Sequence, residues 1–340
     1  MNRTFTGCHL AALAATLLAV AGCGGSGYSD DEMDPNATGR LSIGITDAPV
    51  DEAAAVVIAM TEFEFKPVDE DEPPFRVAVE GAPRQLNLID FTDGAAAIII
   101  DGEEVPAGDY EWMRIYFDES LSYVQLETDG TMYPLFIPSG AQTGYKLVQG
   151  FTVPTNDEVT YMLDFDVRKS LLEPPGLGLV NGVRTFLLKP VVRMMNVADA
   201  GAVTGAVDPS LVDIMNERCL LAEPPLTGNA VYVFEGMDAV LDDVADAEEP
   251  GDEFAGPLTS DVVDLNEENG DYEYHLMFLL PGTYTLAFTC SAMADGAGDD
   301  DYPTPSESGF DFDAQINVDI VSNEVKTCNI PAPDFQPDPC

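Results

Sequence analysis

The sequence predicts an all-β fold arranged as two tandem β-sandwich modules, and three observations predict it. Short runs rich in β-branched and aromatic residues alternate with Gly, Pro, Asp and Asn along the 340 residues, with hardly any helical periodicity. Strands that follow one another without helices must bury a face against a second sheet, which gives a sandwich or a barrel. Charge and cysteine content also divide at one place: residues 40–195 hold 11 basic and 26 acidic side chains and no cysteine, whereas 201–340 hold 2 basic, 30 acidic and four cysteines. The seam falls at Asn196-Val197-Ala198-Asp199-Ala200.

Ahead of the modules, MNRTFTGCHLAALAATLLAVAGCGG carries Arg3, an apolar run from Leu10 to Val20 and small residues before Cys23. That is a secretory signal over residues 1–22, too short in its apolar part for the ~20 residues of a spanning helix. Val20-Ala21-Gly22-Cys23 resembles the lipobox of bacterial lipoproteins. The resemblance implies acylation of Cys23 and, with Gly24 and Gly25 behind it rather than Asp, sorting to the outer membrane. Residues 23–39 are polar, acidic and Gly/Pro-bearing and read as a disordered tether.

In the first module strands are expected at 41–46, 55–65, 75–79, 96–100, 110–118, 121–127, 131–137, 145–153, 159–167 and 183–194. Asp47 and Pro49 read as turn formers that end the first of these, because Asp bonds its own downstream backbone and Pro49 pushes Ala48 toward extended geometry. In the second module strands are expected at 202–207, 229–235, 258–265, 271–280, 283–290, 311–320 and 325–330. Asn269-Gly270 predicts a tight hairpin turn. Seven short strands fit a small sandwich of immunoglobulin or transthyretin type. Pro106-Ala107-Gly108-Asp109-Tyr110 and Pro281-Gly282-Thr283-Tyr284 read as the same turn chemistry reached twice.

Ile45-Thr46-Asp47-Ala48-Pro49, Pro106-Ala107-Gly108-Asp109-Tyr110, Leu163-Asp164-Phe165-Asp166 and Leu188-Lys189-Pro190-Val191-Val192-Arg193 resemble, in that order, a bacterial lipoprotein family of unknown function over residues 40–195. The resemblance implies an all-β fold and an envelope location, with no known reaction. Residues 201–340 are similar to carboxypeptidase-regulatory-like and other transthyretin-like domains, on Gly201-Ala202-Val203-Thr204-Gly205, Asn229-Ala230-Val231-Tyr232-Val233 and Leu280-Pro281-Gly282-Thr283-Tyr284. Sugar binding is implied only by that analogy.

A formal charge of −47 repels phosphate backbones, which argues against a nucleic-acid partner. The expected partners are the membrane, through the acylated N-terminus, and a glycan or an envelope protein. His275 is the one histidine of the mature chain, and no Gly-x-Ser-x-Gly elbow or clustered zinc ligands accompany it, so no enzyme is expected. Asp164 and Asp166 share one face of a strand whose other face holds Tyr161, Leu163, Phe165 and Val167. Structural pairing of these carboxylates with Arg168, Lys189 or Arg193 is the expectation; the rival is a carboxylate-dependent polysaccharide hydrolase.

No cofactor is implied, with calcium kept as an alternative at Asp295, Asp299 and Asp301, where glycines flank several carboxylates; the competing reading is a solvated acidic loop. Cys219, Cys290, Cys328 and Cys340 in an oxidising compartment predict two disulfides. Of the three connectivities, Cys219–Cys290 with Cys328–Cys340 is preferred. The chain is therefore read as a lipid-anchored, non-enzymatic binding or structural module, with carbohydrate or calcium binding as the alternative.

Overall fold

The computed structural model describes residues 37–48, 53–91, 94–126, 130–138, 140, 142–172, 179–180, 183–212, 228–244, 256–295, 310–332 and 340. Cys23, Pro49, Cys219, Asp299 and Asp301 lie outside the described residues, as do the expected signal and most of the tether. Residues 36–340 form one compact unit. The fold is all-β and built from packed sheets.

In the first half a four-stranded sheet runs in the order Val192–Asn196, Glu158–Asp166, Thr38–Ala48, Ala97–Pro106. Thr38–Ala48 pairs parallel with Glu158–Asp166 and antiparallel with Ala97–Pro106. A larger sheet centres on Ala53–Pro67 and Gly108–Phe117. One hydrophobic core joins the two, with Leu41, Ile43, Leu163 and Phe165 on one side and Phe63, Phe65, Met113 and Ile115 on the other. Period-two alternation makes this arithmetic work: each strand sends every second residue inward. At about 1.5–3 kcal/mol for each large apolar side chain fully buried, such a core is the main stabilising term.

The second half pairs two four-stranded sheets. One has the order Asp264–Leu265, Tyr272–Leu279, Gly201–Val207, Val325–Thr327; the other has Thr259–Val262, Ala230–Glu235, Gly282–Thr289, Ala314–Ile320. Val203, Tyr274 and Leu276 meet Val231, Leu286 and Phe288 between them. Ala230–Glu235 is buried on both faces, because Ala230, Tyr232 and Phe234 enter a separate cluster with Val244, Ala292 and Phe310. Gly205 is required where two strands nearly touch, since a Cβ there would stand 1.8 Å from the Cys328 carbonyl oxygen.

Four expectations are corrected. Asp47 does not end the first strand: pairing continues through Asp47 with Phe165 and Ala48 with Asp166, because the parallel neighbour still offers partners there. The run 183–194 divides into Val183–Arg184, Phe186–Leu188 and Val192–Asn196, with Pro190, which has no N–H to give a ladder, inside the last break. The run 258–265 divides between sheets at the buried Val263. Asn269-Gly270 does not form a two-residue hairpin turn, because Leu265 pairs with Tyr272 and leaves a longer loop. Asn266 and Asn269 close that loop by donating to Glu273 at 2.8 Å each, which holds the Glu273 carboxyl below its usual range.

The paired Pro/Gly/Tyr turns have a common geometry. The Tyr110 hydroxyl donates to the Pro106 carbonyl at 2.6 Å, and the Tyr284 hydroxyl donates to the Leu280 carbonyl at 2.8 Å. In both cases the chain is leaving one sheet for the other, so the tyrosine fastens a corner.

Candidate functional site

The carboxylates singled out in the sequence meet the second half of the chain. Asp164 is buried, forms an ion pair with Arg193, its cross-strand partner, and accepts from the Thr259 hydroxyl at 3.4 Å. Asp166 caps the short helix Val167–Ser170 by accepting from the Lys169 amide at 3.1 Å, and pairs with Lys169 Nζ at 3.2 Å. Lys169 Nζ also donates to the Pro257 carbonyl across the seam. Tyr161, Leu163, Phe165 and Val167 face the first core.

Arg168 is offered by the sequence as a partner for these two acids. The structure places its guanidinium 2.7 Å from the Tyr232 hydroxyl and 2.9 Å from the Ala292 carbonyl, over the Tyr232 ring. Tyr232 in turn donates to Asp295 at 2.7 Å, and the other Asp295 oxygen accepts from the Val244 amide at 3.1 Å. Asp295 is thus a buried link in the seam. Among the described residues no group of three or more His, Cys, Asp or Glu is arranged to hold a metal ion.

Thr46, Asp164, Thr259, Ser260, Asp261 and His275 line a cavity of about 20 Å³ in the same seam. It brings a serine, a histidine and aspartates together, yet it has room for one water and none for a substrate. The Asp261 carboxylate accepts the backbone amide of His275 at 2.7 Å. A larger open cleft of about 460 Å³ lies elsewhere, lined by Thr38, Arg40, Glu104, Asn156, Asp157 and Glu158. Of its acids, Glu104 accepts from the Thr38 hydroxyl at 3.1 Å and Glu158 from the Ser42 hydroxyl at 3.4 Å.

Cys328 and Cys340 form a disulfide. Cys290 is also disulfide-bonded, and Cys219, its preferred partner in the sequence reading, lies outside the described residues.

The outer face of the larger sheet holds residues that the sequence reading passes over. Strand register aligns Arg76, Glu64, Arg114 and Lys146 across four neighbouring strands, and sets Lys66 opposite Trp112 in the next row. Arg114 and Lys146 stand 4.8 and 4.9 Å from the ring centre of Trp112, and Arg76 stands 4.3 Å from that of Tyr116. Burial first, then the hydrogen bond to Glu64 at 2.6 Å, raises the Tyr116 phenol above its ordinary range. The one available sequence signal was scarcity: a single tryptophan and 14 basic residues against 61 acids.

Residues 38–190 match a family model described as a domain of unknown function, DUF4382. No curated protein matches the chain. Among solved structures, the Bacillus anthracis TIE protein is 10% identical with a TM-score of 0.18, the match covering 86% of this chain and 34% of that one. The minor pilin GBS52 of Streptococcus agalactiae is 9% identical with a TM-score of 0.17, covering 87% and 99% of the two chains. The shaft pilin SpaA of Lactobacillus rhamnosus GG is 11% identical with a TM-score of 0.21, covering 88% and 99%. The chain therefore spans about a third of the first of these proteins, and at TM-scores this low the likenesses carry no inference about fold or function.

Proposed function

We propose that the chain is a lipid-anchored protein of the outer membrane whose two β modules act as a non-enzymatic binding or structural unit. The observation that carries this reading is the seam. Asp164, Asp166 and Asp295 are each engaged by a cation or a hydrogen-bond donor, and the cavity beside Ser260 and His275 holds about 20 Å³. A hydrolytic pair of acids needs space for a sugar, and for a water as well where configuration inverts. The lipobox ending in Cys23 supports the anchor, and the two-sheet second half suits a carboxypeptidase-regulatory-like module.

Two measurements test this. Incubation of the mature chain with a panel of glycosides, esters and peptides should give no turnover above buffer. Turnover lost on Asp164→Asn, or on Glu158→Gln at the open cleft, would replace the proposal with the hydrolase reading. Mass spectrometry should find Cys23 acylated, and Cys23→Ser should move the protein out of the membrane fraction; an unmodified Cys23 would remove the anchor.

A further inference from the structure

We infer that the outer sheet face around Trp112 binds an anionic polysaccharide, one carrying carboxylate or sulfate groups along its chain. The inference rests on the reading of the protein as a binding module. Its starting point is an imbalance. Acids outnumber bases 61 to 14 in this chain, yet Lys66, Arg114 and Lys146, all close to Trp112 on one face, make no ion pair with any described carboxylate. Lys66 Nζ is held by the Asp69 and Glu72 backbone carbonyls at 2.7 Å, and Arg114 Nη1 by the Thr143 carbonyl at 2.9 Å. Neutral acceptors fix Lys66 and Arg114 in place and leave their charge standing, while Lys146 rests over the Trp112 ring.

Glu64, the cross-strand neighbour of Arg114, gives its carboxylate to the Tyr116 hydroxyl at 2.6 Å and to Arg76 at 3.6 Å. Arg114 Nε is shielded from solvent and has no acceptor among the described residues. Cations over aromatic rings are further preorganised by the ring quadrupole. Arg76, by contrast, is paired with Glu62 and Glu64, so the standing positive charge on this otherwise acidic protein is that of Lys66, Arg114 and Lys146.

The shape of the face selects the partner. Three neighbouring strands at about 4.8 Å spacing carry Lys66, Arg114 and Lys146 and give their row a length of about 10 Å. That is a strip suited to an extended chain. Tyr116 is 6% exposed, and Trp112 is partly covered by its two cations, so the face offers charge beside a ring and no broad apolar surface for lipid. Nucleic acid carries a far denser charge, about one per 1.7 Å of duplex, and is repelled more strongly by the rest of the molecule. At a screening length of about 8 Å in physiological salt, a sparser polyanion senses chiefly the local row.

The test uses the full chain in detergent, with Trp112, its single tryptophan, as the reporter. Titration with polygalacturonate and with dextran sulfate should shift the emission and saturate; neutral dextran should do nothing. Lys146→Glu, at an exposed position, should weaken binding about tenfold or more with an unchanged unfolding midpoint, and Arg114→Gln should weaken it too. Failure of both polyanionic sugars to bind, binding undiminished by Lys146→Glu, or tighter binding to anionic vesicles or single-stranded DNA would overturn the inference. Binding followed by cleavage of the sugar would instead overturn the non-enzymatic reading and leave this site standing.

Discussion

Arg168, in the first half of the chain, donates to the hydroxyl of Tyr232, in the second half, at 2.7 Å, and both side chains are buried. The same hydroxyl donates to Asp295 at 2.7 Å, so one phenol joins a buried cation to a buried acid. Desolvating such groups is expensive, and the chain of hydrogen bonds is what offsets it.

Tyr232→Phe keeps the ring, with its edges on Phe310 and Phe312, and removes only the oxygen. Arg168 and Asp295 then each lose a partner in a buried seam. Denaturant unfolding should show a loss of about 1.5–3 kcal/mol, the range for hydrogen bonds to charged groups. A loss below a few tenths would mean that water replaces the hydroxyl.

The two corner tyrosines offer a paired test. Tyr110→Phe and Tyr284→Phe each delete one hydroxyl-to-carbonyl bond, to Pro106 and Leu280, and each should cost about 1 kcal/mol. The tyrosines belong to different cores, so the double variant should lose the sum, as measured by urea midpoints.

Reduction should affect the tail locally and the second half globally. The Cys328–Cys340 bond closes a loop with a sequence separation of 12, and loop-closure entropy assigns it about 3 kcal/mol. Cys340→Ser should lower the unfolding midpoint accordingly. The backbone amide of residue 340, which donates to the Asn317 carbonyl at 3.0 Å, should also exchange faster with solvent.

Alkaline pH should unfold the chain before its acids or bases explain it. Burial raises the phenols of Tyr110, Tyr274, Tyr161 and Tyr284 above the ordinary value of 10.0. Above that pH the unfolded chain has released these protons while the folded chain retains them. The unfolded state then binds fewer protons, so stability falls as pH rises; below pH 10 it is fully present. Tyrosinate absorbance from these buried phenols should appear together with the loss of structure.

Much of this architecture is legible in the sequence, for reasons that differ from residue to residue. Alternation places Leu163 and Phe165 inward because a strand has a period of two, and nothing in the tertiary structure overrides it. The break at Pro190 and the crossing at Val263 are harder to see. A proline tells where a ladder bond is missing, but which sheet receives the next residue depends on partners far away in sequence. Asp47 looks like a terminator because its local turn preference is strong, while the parallel strand that keeps it extended lies over a hundred residues on, at Phe165. The Trp112 face is illegible for the same reason: Lys66, Arg76, Arg114 and Lys146 come from four strands, and only the register brings them into adjacent rows.

The buried acids of the seam serve architecture, joining two β modules into one unit. Scanning calorimetry of the full chain beside Arg168→Ala tests it most directly. The unaltered protein should show a single transition, and the variant a lower midpoint with the transition broadened or divided in two. Two independent transitions in the unaltered protein, left in place by Arg168→Ala, would contradict it.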